Sequence, residues 1–437
     1  MTTMAQHSAF RRQITDNFSW YSLSFAFNFL TRLVCLGLLW RSLGLEAQKS
    51  YALLQQIVVG LVIVIADFGL ENSVIRFFQE RPGFLAIAIR LFKRVSLTVV
   101  VPVAAILSIW WYVRYGTLQG AAACTAGYGY ALFQIAGATH RSATRVKMFV
   151  GLNTVRNVLI VAGTIVLFFR FGSLTLLTWF TLYGVLSLVV GLVMFATLPA
   201  GARTKEDTGE PGRYYRYIVP VLFVNLALWL EGFVDTVFLN YYHPSQLPIF
   251  RAVLDYCLFF GVVTLLINRA WPAIYFRFAR TMPSSLLLIR QVVAAHTGAA
   301  ISAPVLLVAA PGVLELAFEK ILAAALLPAA GLILGANGLG IVVGVLRPSL
   351  EHERRTGRIF TVFVLAIAAN VVGNALLVPP YGITGAAVAG IVAVLMMFWG
   401  LFVSVRELRR APRAWLVCLG EQLGAGILLT AIIPRLF

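Results

Sequence analysis

Long apolar runs recur along the whole chain, and they constrain its fold more than any other feature. About twelve runs of roughly 20 residues are separated by short charged loops. A helix rises about 1.5 Å per residue, so each run is long enough to cross the ~30 Å hydrocarbon layer of a bilayer. The period-2 alternation of a membrane barrel is absent, whereas helices satisfy their own backbone hydrogen bonds in lipid. We therefore predict an all-α polytopic membrane protein.

Composition and charge agree with this prediction. Hydrophobic residues fill 60% of the 437 positions and charged residues only 12%, against about 25% charged residues in a typical soluble domain. Most of the 35 Lys and Arg residues fall in loops that alternate assignment places on one side of the membrane. That bias predicts a cytoplasmic N-terminus. It also explains the net charge of +18 without a nucleic-acid partner.

A polar stretch divides the chain into two halves. Residues 199–216 read PAGARTKEDTGEPGRYYR, which combines helix breakers with clustered charges and is typical of a linker. We predict an N-terminal six-helix bundle over 1–198, a cytoplasmic linker over 199–214 and a C-terminal six-helix bundle over 215–405. The remainder, 406–437, is a basic loop followed by an extra apolar helix that either crosses the membrane or lies against the bundle.

Residue matches at fixed offsets indicate that the two halves are repeats. At an offset of 210, for example, Gly163, Phe171 and Gly172 fall on Gly373, Tyr381 and Gly382. The predicted spans are 18–40, 51–78, 86–113, 118–140, 150–170, 174–198, 215–241, 248–275, 287–310, 321–346, 358–378 and 382–405. An even number of spans in each half makes the repeats parallel and pseudo-symmetric, with substrate expected between them.

Motifs for metal, disulfide and nucleotide chemistry are absent from the sequence. The four cysteines lie in apolar runs with no paired spacing, and the five histidines are scattered. No HExxH or GxxxxGK[ST] pattern occurs. We therefore predict no metal, no cofactor and no catalytic residue. A membrane glycosyltransferase or polymerase is the weaker alternative, because no large loop carries a catalytic constellation.

Arg32 is the main candidate for a substrate contact. It lies about 20 Å along the first predicted span. A charged residue that faces lipid at such a depth costs at least ~2.5 kcal/mol. Arg32 must therefore face polar surroundings, which are either a water-filled lumen or an ion pair with Glu231 or Asp235.

Two acidic pairs have the i, i+4 spacing that places both side chains on one helix face. They are Asp67 with Glu71, and Glu231 with Asp235. Two neighbouring carboxylates in a low dielectric do not readily both ionise, so one holds a proton or shares a cation. We predict Glu231 and Asp235 as an ion-coupling site or a salt-bridged gate. Asp67 and Glu71 lie nearer the cytoplasm and are predicted as a coupling site, or as a gate or helix-end contact to Arg76.

Further charged residues lie near span ends. Arg251 and Asp255 form either an intrahelical ion pair or a lumen-lining site for substrate release. Asn268 and Arg269 are candidates for meeting a diphosphate on the cytoplasmic side, although Arg269 can instead snorkel to the headgroups. Basic loop residues are expected to attract anionic membrane lipids, namely Lys93, Arg94, Arg141, Arg145 and Lys147.

Two short motifs resemble a known family. The stretch from Asn374 to Gly390 reads NALLVPPYGITGAAVAG, in which prolines and a glycine stop one helix and small residues let the next pack closely. It is similar to the Asn-x-x-Leu-x-x-x-x-Tyr-Gly-x-x-Gly-Ala-Ala-x-Ala signature of bacterial polysaccharide transporters, the O-antigen and capsule repeat-unit flippases. These belong to the multidrug, oligosaccharidyl-lipid and polysaccharide exporter superfamily. The run Asp67-Phe68-Gly69-Leu70 resembles the Asp-x-Gly-Leu pattern of that family's second helix.

The resemblance implies a V-shaped transporter that alternates between inward-open and outward-open states. Such a flippase moves undecaprenyl-diphosphate-linked oligosaccharide, a repeat unit of O-antigen, capsule or exopolysaccharide, across the inner membrane. It implies coupling to a sodium or proton gradient, with membrane lipids, the lipid-linked glycan and polysaccharide-assembly proteins as partners. Two alternatives stay open. One is a cation-coupled multidrug exporter of the same superfamily, with a mainly acidic and aromatic groove. The other is a flippase for lipid-linked peptidoglycan precursors.

Overall fold

The computed structural model describes a chain built from helices. The described residues are 20, 24, 27–80, 83–143, 145–198, 211–256, 271–272, 275–276, 327–353, 355–405 and 408, and no strand occurs among them. Eight helices in this part of the chain are long and apolar enough to cross a membrane. The predicted all-α polytopic architecture is therefore confirmed. The predicted span 287–310 and the apolar stretch after 413 lie outside the described residues.

Six helices are described before the predicted linker. They are α1 (27–42), α2 (Leu45–Leu53, Leu54–Val59, Gly60–Asp67 and Leu70–Glu80), α3 (Phe84–Val95, Ser96–Val100 and Val101–Tyr115), α4 (Gln119–Ser142), α5 (Val146–Phe171) and α6 (Leu176–Ala196). The middle segments of α2 and α3, Leu54–Val59 and Ser96–Val100, are π-helical. Helices α4 and α6 pack at backbone distance, because a side chain at Gly184 would lie 2.7 Å from the Ala126 nitrogen.

Five further helices are described after the linker. They are α7 (Pro211–Tyr242), α8 (247–256), α9 (Leu327–His352), α10 (Thr356–Tyr381) and α11 (Ile383–Ser404). Helix α11 packs against both α9 and α10. The chain divides into two compact units, unit 1 over Met1–Trp229 and unit 2 over Leu230–Phe437, and this division falls within α7. Because α7 begins at Pro211, it takes in the last residues of the predicted linker.

Helix α2 breaks at Phe68 and Gly69, the two residues that separate its last two segments. Both adopt left-handed backbone angles, with φ of 49° at Phe68 and 71° at Gly69. A side chain at Gly69 would also lie 3.0 Å from the carbonyl oxygen of Ile218. Position 69 therefore requires glycine for two reasons, its backbone angle and the close approach of α7.

Helices α5 and α10 are the same element of the two repeats. Each has 26 residues, and their first and last residues are both 210 positions apart. The loops before them repeat the same hydrogen bonds at that offset. The Arg145 nitrogen donates to the His140 carbonyl, as the Arg355 nitrogen does to that of Leu350. The duplication suggested by the residue matches is thus present in the backbone.

The turn between α10 and α11 shows how the Asn374 to Gly390 motif folds. Helix α10 continues through the two prolines to Tyr381, and Gly382 alone makes the turn, with φ of 55°. A side chain at Gly382 would collide with Gln246, whose Oε1 accepts a hydrogen bond from the Ile383 nitrogen at 2.9 Å. The ring of His243 meets the Val378 and Pro379 carbonyl oxygens at 3.1 and 3.0 Å. The motif therefore fixes the end of one helix and the start of the next.

Candidate functional site

A buried cluster of one carboxylate and two amides lies inside unit 2. Oδ1 of Asp235 on α7 accepts hydrogen bonds from Nδ2 of Asn374 at 2.8 Å and from Nδ2 of Asn370 at 3.2 Å, both on α10. Asp235 is 8% exposed and both asparagines are fully buried. The two amides are one helical turn apart and bond to each other, Asn374 Nδ2 to Asn370 Oδ1 at 3.2 Å. We call these three residues the carboxylate-amide cluster.

Oxygen atoms suited to a cation remain available at this cluster. Oδ1 of Asn374 is buried and has no hydrogen-bond partner. Glu231 lies one turn before Asp235 on α7 and is a second carboxyl group on the same helix face. Among the described residues no Lys or Arg pairs with Asp235, so its charge is met by amides alone. Carboxylate and amide oxygens are ligands for hard cations, and a carboxylate can instead take a proton.

The sequence analysis predicted the carboxylate of this cluster but not its two amides. The i, i+4 rule identified Glu231 and Asp235, but Asn370 and Asn374 were not predicted as site residues. Their own i, i+4 spacing within an otherwise apolar span was the available signal, since a polar pair on one face of a membrane helix needs a polar partner. The part of the chain that the structure describes holds no group of three or more His, Cys, Asp or Glu residues able to bind a metal.

Unit 2 contains two other pairs of candidate residues. One of them forms an ion pair, and the other lies outside the described residues. Nη2 of Arg251 lies 2.7 Å from Oδ1 of Asp255, and both side chains are largely buried within α8. This is the intrahelical pair predicted from the spacing; a lumen role for Arg251 or Asp255 stays a prediction. Asn268 and Arg269 lie outside the described residues.

In unit 1, the side chain of Asp67 stabilises the break in α2. Its carboxylate accepts hydrogen bonds from the backbone nitrogens of Gly69 at 3.1 Å and Glu71 at 2.9 Å. It also accepts one from Nδ2 of Asn225 on α7, at 3.2 Å. Asp67 thus starts the second half of α2 as an N-terminal capping residue does. The Asp-Phe-Gly-Leu run is therefore a helix-break motif that α7 stabilises.

Glu71 forms an ion pair that the sequence analysis did not foresee. Its Oε1 lies 2.6 Å from Nη2 of Arg141 on α4. Arg141 was expected to attract lipid headgroups, but it is 3% exposed and also donates to the Gly137 carbonyl at 3.3 Å. Arg76 lies over the ring of Tyr217, at 4.5 Å, and its predicted contact to Asp67 or Glu71 stays a prediction. The expectation failed for Arg141 because it lies in the last turn of a long helix and not in the loop.

Arg32 lies half-buried on α1, close to a polar seam between α1 and α5. In that seam, Nδ2 of Asn153 donates to Oγ of Ser24 at 2.6 Å, and Nδ2 of Asn157 donates to Oδ1 of Asn28 at 2.8 Å. Arg32 pairs with no described carboxylate. A lumen role for Arg32 stays a prediction.

Arg156 is the functional candidate that the sequence analysis missed. It falls inside the predicted span 150–170, about 15 Å along α5, and is 2% exposed. Its guanidinium carbon lies 4.6 Å from the ring centre of Phe133, 4.8 Å from that of Tyr183 and 5.4 Å from that of Tyr130. Its Nε donates to Oγ of Ser187 at 2.9 Å, and its Nη2 is buried without a partner. The polar positions 153, 156 and 157, which share a helix face, were the available signal.

Both units consist of membrane-crossing helices, and the loops before α5 and α10 are duplicates of each other. The protein is therefore a polytopic helical protein with repeated halves. Within that class the fold is the one found in MATE transporters. The chain is similar to VcmN, a MATE transporter from Vibrio cholerae, with a TM-score of 0.67 and 14% identity over 96% of this chain and 100% of that chain. It is also similar to a eukaryotic MATE transporter, with a TM-score of 0.65 and 14% identity over 93% of this chain and 98% of that chain.

A third solved structure of this fold comes from Pyrococcus furiosus. It is a MOP superfamily transporter in which the reverse polarity of the binding pocket suggests a different function, and it matches with a TM-score of 0.64 and 11% identity over 95% of this chain and 96% of that chain. No protein-family model and no curated protein matches the chain. These likenesses show the fold of the chain. They do not support the narrower polysaccharide-transporter assignment, which stays a prediction.

Proposed function

We propose that this chain is a cation-coupled exporter of the MATE type, in which the carboxylate-amide cluster binds the coupling cation. The observation that carries this proposal is the Asp235 carboxylate, which is buried in a membrane-crossing helix and meets only amides among the described residues. A carboxylate in such surroundings requires a counter-charge, which a proton or a sodium ion supplies. The similarity in fold to MATE transporters favours a transporter over an enzyme.

Coupling follows from differential binding. A cation shifts a transporter between two conformations only to the extent that it binds one of them more tightly. The cluster joins α7 to α10, so any movement of one helix against the other changes the distance from Asp235 to Asn370 and Asn374. Glu231, one turn away, is the second carboxylate that this site can use. The substrates of a multidrug exporter would be small organic cations.

Transport by reconstituted protein tests this proposal. The full chain is placed in liposomes under a sodium gradient or a proton gradient, and accumulation of the dye cation ethidium is followed. We expect one of the two gradients to drive transport, and Asp235→Asn to lower that gradient-driven rate by about tenfold or more. The matched control is Glu46→Gln, which removes an exposed carboxylate paired with Lys49 and should leave the rate unchanged. Full gradient dependence in Asp235→Asn would rule out the cluster as the coupling site.

A lipid-linked oligosaccharide flippase is the second candidate function. Two observations favour it, namely Arg32 beside the polar seam of unit 1, and the Asn374 to Gly390 motif that resembles the polysaccharide transporters. In this function the substrate is the undecaprenyl-diphosphate-linked glycan, and Arg32 contacts its anionic or sugar groups. A lipid-linked peptidoglycan precursor presents the same diphosphate chemistry.

Deletion in the host separates the candidates. Loss of surface polysaccharide, restored by the wild-type chain but not by normally expressed Arg32→Ala, would favour the glycan flippase. Lysis with accumulated cell-wall precursor would point to the peptidoglycan precursor. Intact polysaccharide with raised sensitivity to ethidium is the result that the exporter proposal requires.

A further inference from the structure

One oxygen of the Asp235 carboxylate accepts no hydrogen bond from the described residues. Both amides of the carboxylate-amide cluster donate to the other oxygen, Oδ1, from Asn374 at 2.8 Å and from Asn370 at 3.2 Å. Oδ2 is left over, and Asp235 keeps 8% of its surface exposed. The buried Oδ1 of Asn374 has no partner either. The cluster therefore has two oxygens, one of them on a charged group, that are available to a ligand.

Gly390 on α11 lies beside the free oxygen of Asp235. A Cβ atom at Gly390 would be 3.9 Å from Oδ2, and no other described atom of a neighbouring helix would lie within 4 Å of it. Close packing of α10 on α11 fixes this position, because a Cβ atom at Gly373 would lie 2.9 Å from that of Ala389. Gly390 is partly exposed, whereas Ala389 is buried. The missing side chain thus leaves a space the size of a methyl group next to Oδ2.

Neither packing nor backbone conformation requires glycine at position 390. The residue lies inside α11, and it is not among the described glycines with positive φ. The 3.9 Å separation from Oδ2 is ordinary van der Waals contact, unlike the 2.9 Å approach at Gly373. Glycine also destabilises a helix relative to alanine. The space beside Oδ2 is therefore the feature of this position that a larger residue would remove.

We propose, on the basis of the cation-coupled function above, that Gly390 determines which cation the cluster takes, because its missing side chain admits an ion of the size of sodium. The argument is one of size. Bonds from oxygen to calcium, a cation of similar radius, are about 2.3–2.6 Å long, so such an ion needs room beyond the oxygen that binds it. A proton adds almost no volume to a carboxylate. A site for protons alone does not need the space beside Oδ2.

Two glycine-to-alanine variants isolate this effect. Gly390→Ala fills the space with a methyl group in ordinary contact with Oδ2, so the chain should still fold. The matched control is Gly335→Ala on α9, where a Cβ atom would lie at the same distance, 3.9 Å, from the apolar Cδ1 of Ile391. Both glycines are partly exposed and lie inside helices of unit 2. Without sodium, both variants should therefore raise the unfolding temperature by similar amounts.

The measurement is the unfolding temperature of the purified full chain in detergent, with sodium replacing potassium at constant pH and ionic strength. A ligand that binds only the folded state raises this temperature. For the wild type we expect a rise of about 2 °C for each tenfold increase in sodium above half-saturation. Gly390→Ala should raise the half-saturating sodium concentration by about tenfold or more, as changes next to a metal ligand do. Gly335→Ala should keep the wild-type response.

Two results would overturn this proposal. One is a sodium response that Gly390→Ala leaves unchanged. The other is a wild-type chain whose unfolding temperature is independent of sodium and whose ethidium transport needs a proton gradient and Asp235. In both cases the exporter proposal would stand, with another route or another cation at the cluster. The exporter proposal fails on a different variant, since its contrary result is full gradient dependence in Asp235→Asn.

Discussion

Helix α5 of unit 1 and helix α10 of unit 2 bury the same face, yet that face carries opposite chemistry. Shifted by 210 positions, the buried residues Val146, Phe149, Asn153, Arg156, Ile160 and Thr164 fall on Thr356, Ile359, Phe363, Ala366, Asn370 and Asn374, all of them also buried. At the middle of this face α5 carries Asn153 and Arg156 where α10 carries Phe363 and Ala366, whereas one turn later α10 carries Asn370 where α5 carries Ile160. The duplicated scaffold thus retained its packing surface while its two copies acquired different charged sites.

The buried charged group at this face is basic in unit 1 and acidic in unit 2. Arg156 in unit 1 meets rings and a hydroxyl, whereas Asp235 in unit 2 meets amides. Each charged group can be buried because side chains on neighbouring helices make contacts that suit the sign of its charge. The repeated scaffold can therefore bury a charged group of either sign. Exchanging or removing these groups tests how far that specialisation goes.

The largest effect is expected from moving the arginine to the other repeat. Ala366 is fully buried at the α10 position that corresponds to Arg156. Ala366→Arg places an uncompensated guanidinium in a site packed for a methyl group, and we expect a loss of about 4 kcal/mol or more, or failure to fold. Ala366→Met, the control for size, should cost about 1–3 kcal/mol. Equal unfolding temperatures for the two variants would contradict the view that unit 2 lacks a site for this charge.

The next effect concerns the ion pair that joins α2 to α4. Glu71→Gln leaves Arg141 buried without its charged partner, and because Glu71 is partly exposed we expect a loss of about 2–3 kcal/mol. Glu353→Gln is the control from the other repeat, since Glu353 pairs with Arg355 in a half-exposed loop and its loss should cost at most about 1 kcal/mol. Thermal unfolding in detergent measures both. A greater loss in the control would mean that burial does not decide the strength of these pairs.

A smaller loss of stability is expected at the last position of this face that is polar in both repeats, which is Thr164 in α5 and Asn374 in α10. Asn374→Leu removes a donor to Asp235 and should cost about 1–3 kcal/mol. It should also weaken any stabilisation by sodium or by low pH. The corresponding change in unit 1 is Thr164→Val. Because the Thr164 hydroxyl donates to a carbonyl of its own helix, that variant should change stability by at most about 1 kcal/mol. Unaltered cation response in Asn374→Leu would remove Asn374 from the site.

The smallest effect is expected where the repeats are alike. Arg145 donates to the Thr197 carbonyl at 3.2 Å, and Arg355 donates to the Ser404 carbonyl at 3.4 Å. Arg145→Gln should cost about 1 kcal/mol, the usual value for one hydrogen bond. Arg355→Gln also removes the partly exposed ion pair to Glu353 and should cost at most about 1 kcal/mol more. A larger loss from Arg145→Gln than from Arg355→Gln, measured by thermal unfolding, would contradict this expectation.

The membrane architecture could be predicted because lipid imposes it on the sequence directly. The predicted spans 150–170 and 358–378 lie inside Val146–Phe171 and Thr356–Tyr381, since a helix must cover the hydrocarbon thickness with apolar residues. The break in α2 was not predicted. It depends on Asn225 and on the close approach of α7 to Gly69, and both of these come from a helix more than 140 residues later in the chain.

The sequence analysis found interacting residues that lie on the same helix, but it missed partners that lie on different helices. The spacing of Glu231 and Asp235 placed them on one face, and Arg251 with Asp255 formed the pair that its spacing predicted. The amides that bond Asp235 lie on another helix and were missed. Arg156 lies inside the predicted span 150–170 but was not named as a site residue, because the rings around it belong to α4 and α6.

The sequence by itself determined which residues are helical, which positions share a face and where charge enters an apolar span. Only the tertiary structure decided which charges are paired, for example that Glu71 meets Arg141 and that Arg156 meets aromatic rings. The physical reason is that helical periodicity acts within one segment. In lipid, the choice of neighbouring helix depends on close packing and hydrogen bonds between segments, because burial in lipid favours no particular apolar partner.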